Sequence, residues 1–403
     1  MHTFTKTLIL AAAAVGLVTG CGDDEPEDQA HADYSAEMTE ASEAYVDVVM
    51  ASYADSLELA RDLDDAVNDF VGDPSEETLE AARDAWRAAR EPYLQTEVFR
   101  FYDGPIDNSD DGPEGLINAW PMDESFVDYV EGDDGEPDYE TGIVNDPDID
   151  IVGEELEGLN EDGGEENIAT GYHAVEFLLW GQDHDDSGPG DRPYTDFIEG
   201  DDATAPNGAR RAEYLHVVSG LIVSHLEALT AAWAEGRSSN YHAEFEAATP
   251  KQRFERILTG MIVLSGFETG GERLQTALDS GDQEDEHSCF SDNTHRDMVQ
   301  DVRGIQNVWL GTYERLDGSE VSGFGVRDVV EAKDAALAAE LDDRIATSLE
   351  LAEALQPPFD QEISFENEAG RTRVRALITS LRAQERLLEE VFHGFGLSVP
   401  VTE

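Results

Sequence analysis

Apolar residues recur every three or four positions along most of the chain, while alternation of the kind that builds strands is scarce. Between 34 and 70, Tyr45, Val48, Val49, Leu63, Val67 and Phe70 fall on one face, which predicts a long amphipathic helix. Gly72-Asp-Pro ends it, and Ser75 with Thr78 three residues later predicts a capped start for a second helix. That helix is expected to reach about position 101, kinked at Pro92. Helical spacing returns at 167–180, 209–234, 250–278, 292–310, 326–336, 340–355 and 370–395. The pattern predicts an all-α fold made of two packed helical bundles. Trp86-Arg-Ala-Ala-Arg leading to Glu97-Val-Phe-Arg-Phe echoes Leu381-Arg-Ala-Gln-Glu leading to Glu390-Val-Phe-His-Gly-Phe with one gap, which suggests an internal duplication.

Two regions break this rhythm. The stretch 103–166 is long, acidic and rich in Gly and Pro, the profile of a functional or poorly ordered loop. The other is the N-terminus, where Lys6 precedes an apolar run from Leu8 to Val18, as in a secretory signal peptide. Val18-Thr19-Gly20-Cys21 resembles a bacterial lipobox, which implies cleavage before Cys21 and acylation of its thiol. Residues 1–20 are then a lipoprotein signal, 21–33 an acidic tether, and 34–403 the folded part. No later segment is expected to be long and apolar enough to cross a bilayer. The expected location is the envelope, on the outer membrane or facing the periplasm, with the membrane a partner through the lipid at Cys21.

Composition narrows the partners. With 25 Lys and Arg against 91 Asp and Glu, the 403-residue chain carries a formal charge of −66. Such a surface repels nucleic acid and anionic lipid, and its scarcity of lysine suits a salty medium that screens self-repulsion. Cys289 is the lone thiol left after Cys21, so no internal disulfide forms and packing must supply stability. A buried, inert thiol is the simpler expectation for it than a Cys–His nucleophile.

One apolar segment raises a chemical question. In Gly171-Tyr-His-Ala-Val-Glu-Phe-Leu-Leu-Trp-Gly181, His173 and Glu176 stand one helical turn apart among residues that belong in a core. A buried carboxylate needs a proton, a cation or a metal. An imidazole and a carboxylate at this spacing can chelate a divalent metal, but they can equally form a structural pair or meet an arginine. No HExxH occurs, and Phe177 stands where an inverted HxxEH would need its second histidine, so a zinc peptidase would need residues this motif does not supply. Glu97 and Asp107 are candidate oxygen ligands, although Arg100 or Arg90 could neutralise Glu97. In Glu284-Asp-Glu-His-Ser-Cys-Phe-Ser-Asp-Asn-Thr-His295, His287 is expected to shape the site and Asp292 to join it, with Ser291 or Asp292 also a possible helix cap. Arg273 is a candidate to neutralise buried acids, in competition with a metal. Asp146-Pro-Asp-Ile-Asp with Glu157 at the twelfth position resembles a calcium loop, but Ile151 occupies the position that needs glycine.

Four blocks together, 85–108, 160–183, 256–274 and 283–297, resemble the imelysin family in order and spacing, with its GxHxxE motif at Gly171, His173 and Glu176. The resemblance implies an exported, often lipid-anchored protein of two helical bundles. It also implies either an iron-related role, with iron or zinc held by His173 and Glu176 and with Glu97 and Asp107 placed as in iron-uptake relatives, or a peptidase; Asp292 is added to that ligand set from the reading of its own turn. The first expectation is iron uptake or handling with a membrane iron transporter as partner. The alternatives are a metal-dependent peptidase and a surface protein whose His–Glu pair is structural.

Overall fold

The computed structural model describes residues 33–132, 135–184 and 188–397; the leader, Cys21 and the tether up to residue 32 lie outside them. The first apolar stripe forms α1 (Ser35–Gly72), whose buried face includes Tyr45, Val49, Tyr53, Leu63 and Phe70. Next, α2 (Glu76–Leu94) opens on the expected capping box, with Ser75 Oγ accepting from Thr78 N at 3.3 Å and Thr78 Oγ1 accepting from Ser75 N at 3.1 Å. It does not reach residue 101. Pro92 lies in its last turn, the helix stops at Leu94, and a short 3-10 turn (Glu97–Phe99) carries Glu97 inward.

Helices α3 (Gly171–Trp180) and α4 (Gly208–Trp233) complete a first four-helix group around α1. A second group comprises α5 (Pro250–Ile262), α6 (Leu274–Ser280), α7 (Thr294–Leu310), α8 (Ala335–Glu353), the short α9 (Phe359–Ile363) and α10 (Glu368–Gly394). The groups meet where α1 packs on α5 and α2 on α7. One continuous apolar core runs through both, and a separate cluster fills the space among α6, α7, α8, α9 and α10. A two-stranded hairpin, Thr312–Glu314 with Glu320–Ser322, follows α7.

Between α5 and α6 the backbone winds as a π-helix over Val263–Arg273. Such turns are rare and often mark functional positions. Here the run brings Thr269 and Arg273 onto buried acids, described below.

Three expectations need correction. First, 103–132 and 135–166 carry short helices at Glu114–Ile117, Glu124–Val127 and Gly153–Leu159, and Asp128, at the end of the second, is buried and accepts from Arg192 at 2.8 Å and Arg211 at 2.5 Å. Second, the calcium-like loop is a turn. Asp146 accepts from Asp148 N at 2.9 Å, and Glu157 sits 3.2 Å from His225. Third, α4 is long and apolar enough to cross a membrane by composition. In this fold Leu215, Val218, Ile222, Leu226 and Leu229 face the bundle, which is where its apolar character is used.

Candidate metal centre

Gly171 starts α3 with φ +86°, and a Cβ there would lie 2.4 Å from the Ile117 carbonyl oxygen. Only glycine meets both conditions. One turn on, His173 and Glu176 point into the junction of the bundles, 2 % and 0 % exposed. His173 Nδ1 and Glu176 Oε2 are 2.9 Å apart. The other oxygen, Oε1, accepts from Ser291 N at 3.0 Å and Ser291 Oγ at 2.7 Å. Burial pushes the Glu176 carboxyl up to about 8, with Ser291 and Arg90 partly opposing it. Burial, reinforced by Arg90, holds His173 well below the usual imidazole range, so its ring is neutral at pH 7. Its Nε2 is buried without a hydrogen-bond partner.

A second imidazole is built the same way. His287 Nδ1 lies 2.7 Å from Asp297 Oδ2, which also receives Arg90 at 3.1 Å and Ser288 Oγ at 2.5 Å, while Asn293 Nδ2 donates to Oδ1 at 3.0 Å. Burial and then Arg273 push His287 down to about 3. Although burial opposes it, Arg90 and His287 hold Asp297 ionised and well below the carboxylate range. The two rings meet edge to face, centroids 5.0 Å apart.

Beside them lies a charged floor. Glu97 Oε2 accepts from Arg273 at 2.5 Å and Arg100 at 2.6 Å, and Oε1 has no partner. Burial favours a proton on Glu97, but the two guanidinium groups outweigh it and hold the group at about 2. Arg273 also donates to Asp301 at 2.9 Å and Glu268 at 3.2 Å, and Thr269 donates to Asp301 at 3.0 Å. Asp301 Oδ1 is buried without a partner, and burial raises its carboxyl to about 7 despite Arg273. A cavity of about 230 Å³, lined among others by Arg100, Glu114, Trp120, Glu268, Arg273 and His287, reaches this floor.

The ligand set expected from sequence does not converge. Glu176 has both oxygens engaged, so it orients His173 rather than offering a free donor. Glu97 is clasped by Arg100 and Arg273, the neutralisation that competes with a metal. Asp107 is spent on its own loop, accepting from Phe101 N and from Gly104 N at 2.9 Å, which supports left-handed Phe101 and Asp103. Asp292 joins a different group, with Asp183 and Asp360. The cap of α7 is Asn293, whose side chain makes no cap bond, so Ser291 is released for Glu176. Conversely, His287 stands nearer the centre than its supporting role suggested. Asp297 and Asp301 were missed; their i, i+4 spacing on an otherwise apolar face of α7 is the signal that could have found them. Cys289 is buried and its thiol pushed up by burial and Glu176, as an inert thiol should be.

Comparison with known proteins gives one consistent picture. The imelysin family profile matches residues 49–388. Iron-regulated protein A of Synechococcus elongatus is 23% identical over 356 residues, covering 86% of this chain and 83% of that protein. A crystal structure from Parabacteroides distasonis, described as an iron-regulated protein A precursor, superposes with TM-score 0.66 at 20% identity, over 90% of this chain and 98% of that one. An imelysin-like protein of Psychrobacter arcticum gives TM-score 0.62 at 14% identity, over 92% and 98%.

Proposed function

The chain belongs to the imelysin family, and from the centre it carries we propose that it captures a divalent transition metal, iron foremost, at the inner end of the His287-lined cavity. The observation that carries this reading is the His173 ring: Nδ1 is held by a carboxylate while Nε2 is buried, neutral and without a partner. Metal-binding histidines are oriented in this way, by a carboxylate on the far nitrogen. A cation at Nε2 would favour the tautomer with a proton on Nδ1 and so draw Glu176 into its ionised form. His287, backed by Asp297, and the partnerless oxygens of Glu97 and Asp301 are the further donors within this neighbourhood. Imidazole with carboxylate suits iron(II), and zinc would also be accepted. The kinship to iron-regulated protein A favours iron.

In this reading the protein is an envelope lipoprotein, held by acylated Cys21, that passes metal to a membrane transporter. Its metal is cargo, with no turnover. The peptidase reading is weaker on geometry, because the carboxylate of the motif itself, Glu176, has both oxygens occupied and is not free to act as a water-activating base.

The test is anaerobic iron(II) binding by full chain and variants of matched helicity. Wild type should bind iron stoichiometrically, H173A should not, and E176Q should bind about 10–100-fold more weakly. Equal binding by wild type and H173A would leave the pair a structural device. Labelling with a palmitate analogue, lost in C21A, checks the anchor.

A further inference from the structure

Three carboxylates outside the centre just described approach one another closely. Oxygens of Asp183, Asp292 and Asp360 all lie within 4.8 Å of each other, and the three residues are 7 %, 7 % and 5 % exposed. They come from different parts of the chain: the loop after α3, the turn before α7, and the start of α9. Surface acids in so anionic a protein gather by chance, but these are inside it.

The second observation is Glu286. It is 1 % exposed, and neither Oε1 nor Oε2 has a hydrogen-bond partner among the described residues. The Thr294 hydroxyl, which accepts from Ser288 N at 2.9 Å, is the side-chain group that eases the burial of Glu286. Beyond burial, the charges that bear on Glu286 are those of Asp360, Asp292 and Asp183. A desolvated carboxylate that feels the charge of three others gains nothing by staying, yet the fold keeps it buried. Its backbone is pinned too, because Trp120 Nε1 donates to the Glu286 carbonyl at 2.5 Å. Gln283 Nε2 likewise donates to the Asp183 carbonyl at 2.6 Å, fastening the two loops together.

We propose that Asp183, Asp292, Asp360 and Glu286 form a second cation site, separate from the His173 centre, for a hard divalent cation of the calcium class. The donors are all oxygens, with no imidazole or thiolate, which selects calcium over iron or zinc. Four carboxylates from three segments suit the flexible, high-coordination shell of calcium better than the strict octahedron of magnesium. The ion's work is mechanical. It bolts the end of the motif helix α3 to α9 and the satellite core of the second bundle. Asp292, at φ +56°, adjoins Ser291, which grips Glu176. Filling this site therefore stiffens the support behind His173 without supplying a ligand to it.

Calcium titration of the full chain in roughly 1 M NaCl, where a Debye length of about 3 Å suppresses diffuse binding to the acidic surface, tests the proposal. Binding is followed by calorimetry and by the thermal midpoint. Wild type and H173A should both bind one calcium ion and melt higher with it, which keeps the outcome independent of the iron centre. D360N and E286Q are near-isosteric and relieve like-charge repulsion. Without calcium they should melt at or above wild type, and with calcium they should gain nothing. Unchanged calcium binding in D360N and E286Q would assign the ion to the general surface and overturn the site. So would a wild type that neither binds calcium nor shifts its melting point.

Discussion

Gly171 couples two demands that a side chain cannot meet together, a left-handed backbone and contact with the Ile117 carbonyl. It is the first letter of GxHxxE because it sets the start of α3, and so the direction of His173, rather than because it touches a ligand. G171A should lose more than about 1 kcal/mol of stability and weaken iron binding, measured by chemical denaturation alongside metal titration. Arg273 acts through charge instead. It is the shared partner of Glu97 and Asp301, both buried, so R273Q leaves two carboxylates poorly compensated. A loss of about 3–5 kcal/mol is expected, partly restored by adding E97Q. The motif pair was legible in the sequence because charge inside an apolar run stands out. Asp183, Glu286 and Asp360 were not, because among 91 acids a buried one looks like any other until the fold shows what surrounds it.

The long helices α1, α4, α7, α8 and α10 were readable from their period, since each buries one continuous stripe. The elements that escaped are those whose cause is not periodic. The short helix Phe359–Ile363 and the hairpin after α7 are too brief to show a pattern, and π winding leaves no distinct signature in 250–278. The segment 103–166 looked like a loop because its buried apolar residues, among them Ile106, Ile117, Val127, Val144 and Leu156, follow no helical or strand period. Asp128 is its keystone. Burial would raise the Asp128 carboxyl, but Arg192 and Arg211 outweigh that and hold it below the ordinary value of 3.8. With a folded-state value below the unfolded one, its contribution is complete above about pH 4 and is lost as pH falls through the folded value. D128N should therefore cost about 3–5 kcal/mol near neutrality and flatten the acid limb of the stability curve, read by urea denaturation across pH 2–7.

A formal charge of −66 on one chain acts on the whole fold at once. Buried pairs such as Arg90 with Asp297 are shielded from salt, whereas exposed acids repel one another through water. Raising NaCl from roughly 0.1 to 1 M should increase the melting temperature of wild type, with most of the gain before the Debye length falls to about 3 Å. A flat response would mean that surface repulsion contributes little.

The π-helical run over Val263–Arg273 has a consequence for motion. Its hydrogen bonds reach one residue further than those of an α-helix, so the stretch stores slack in the middle of an otherwise taut rod. Tightening that slack would rotate Arg273 about the rod and release Glu97 and Asp301 in a single step. Both ion pairs thus depend on the winding of one short stretch.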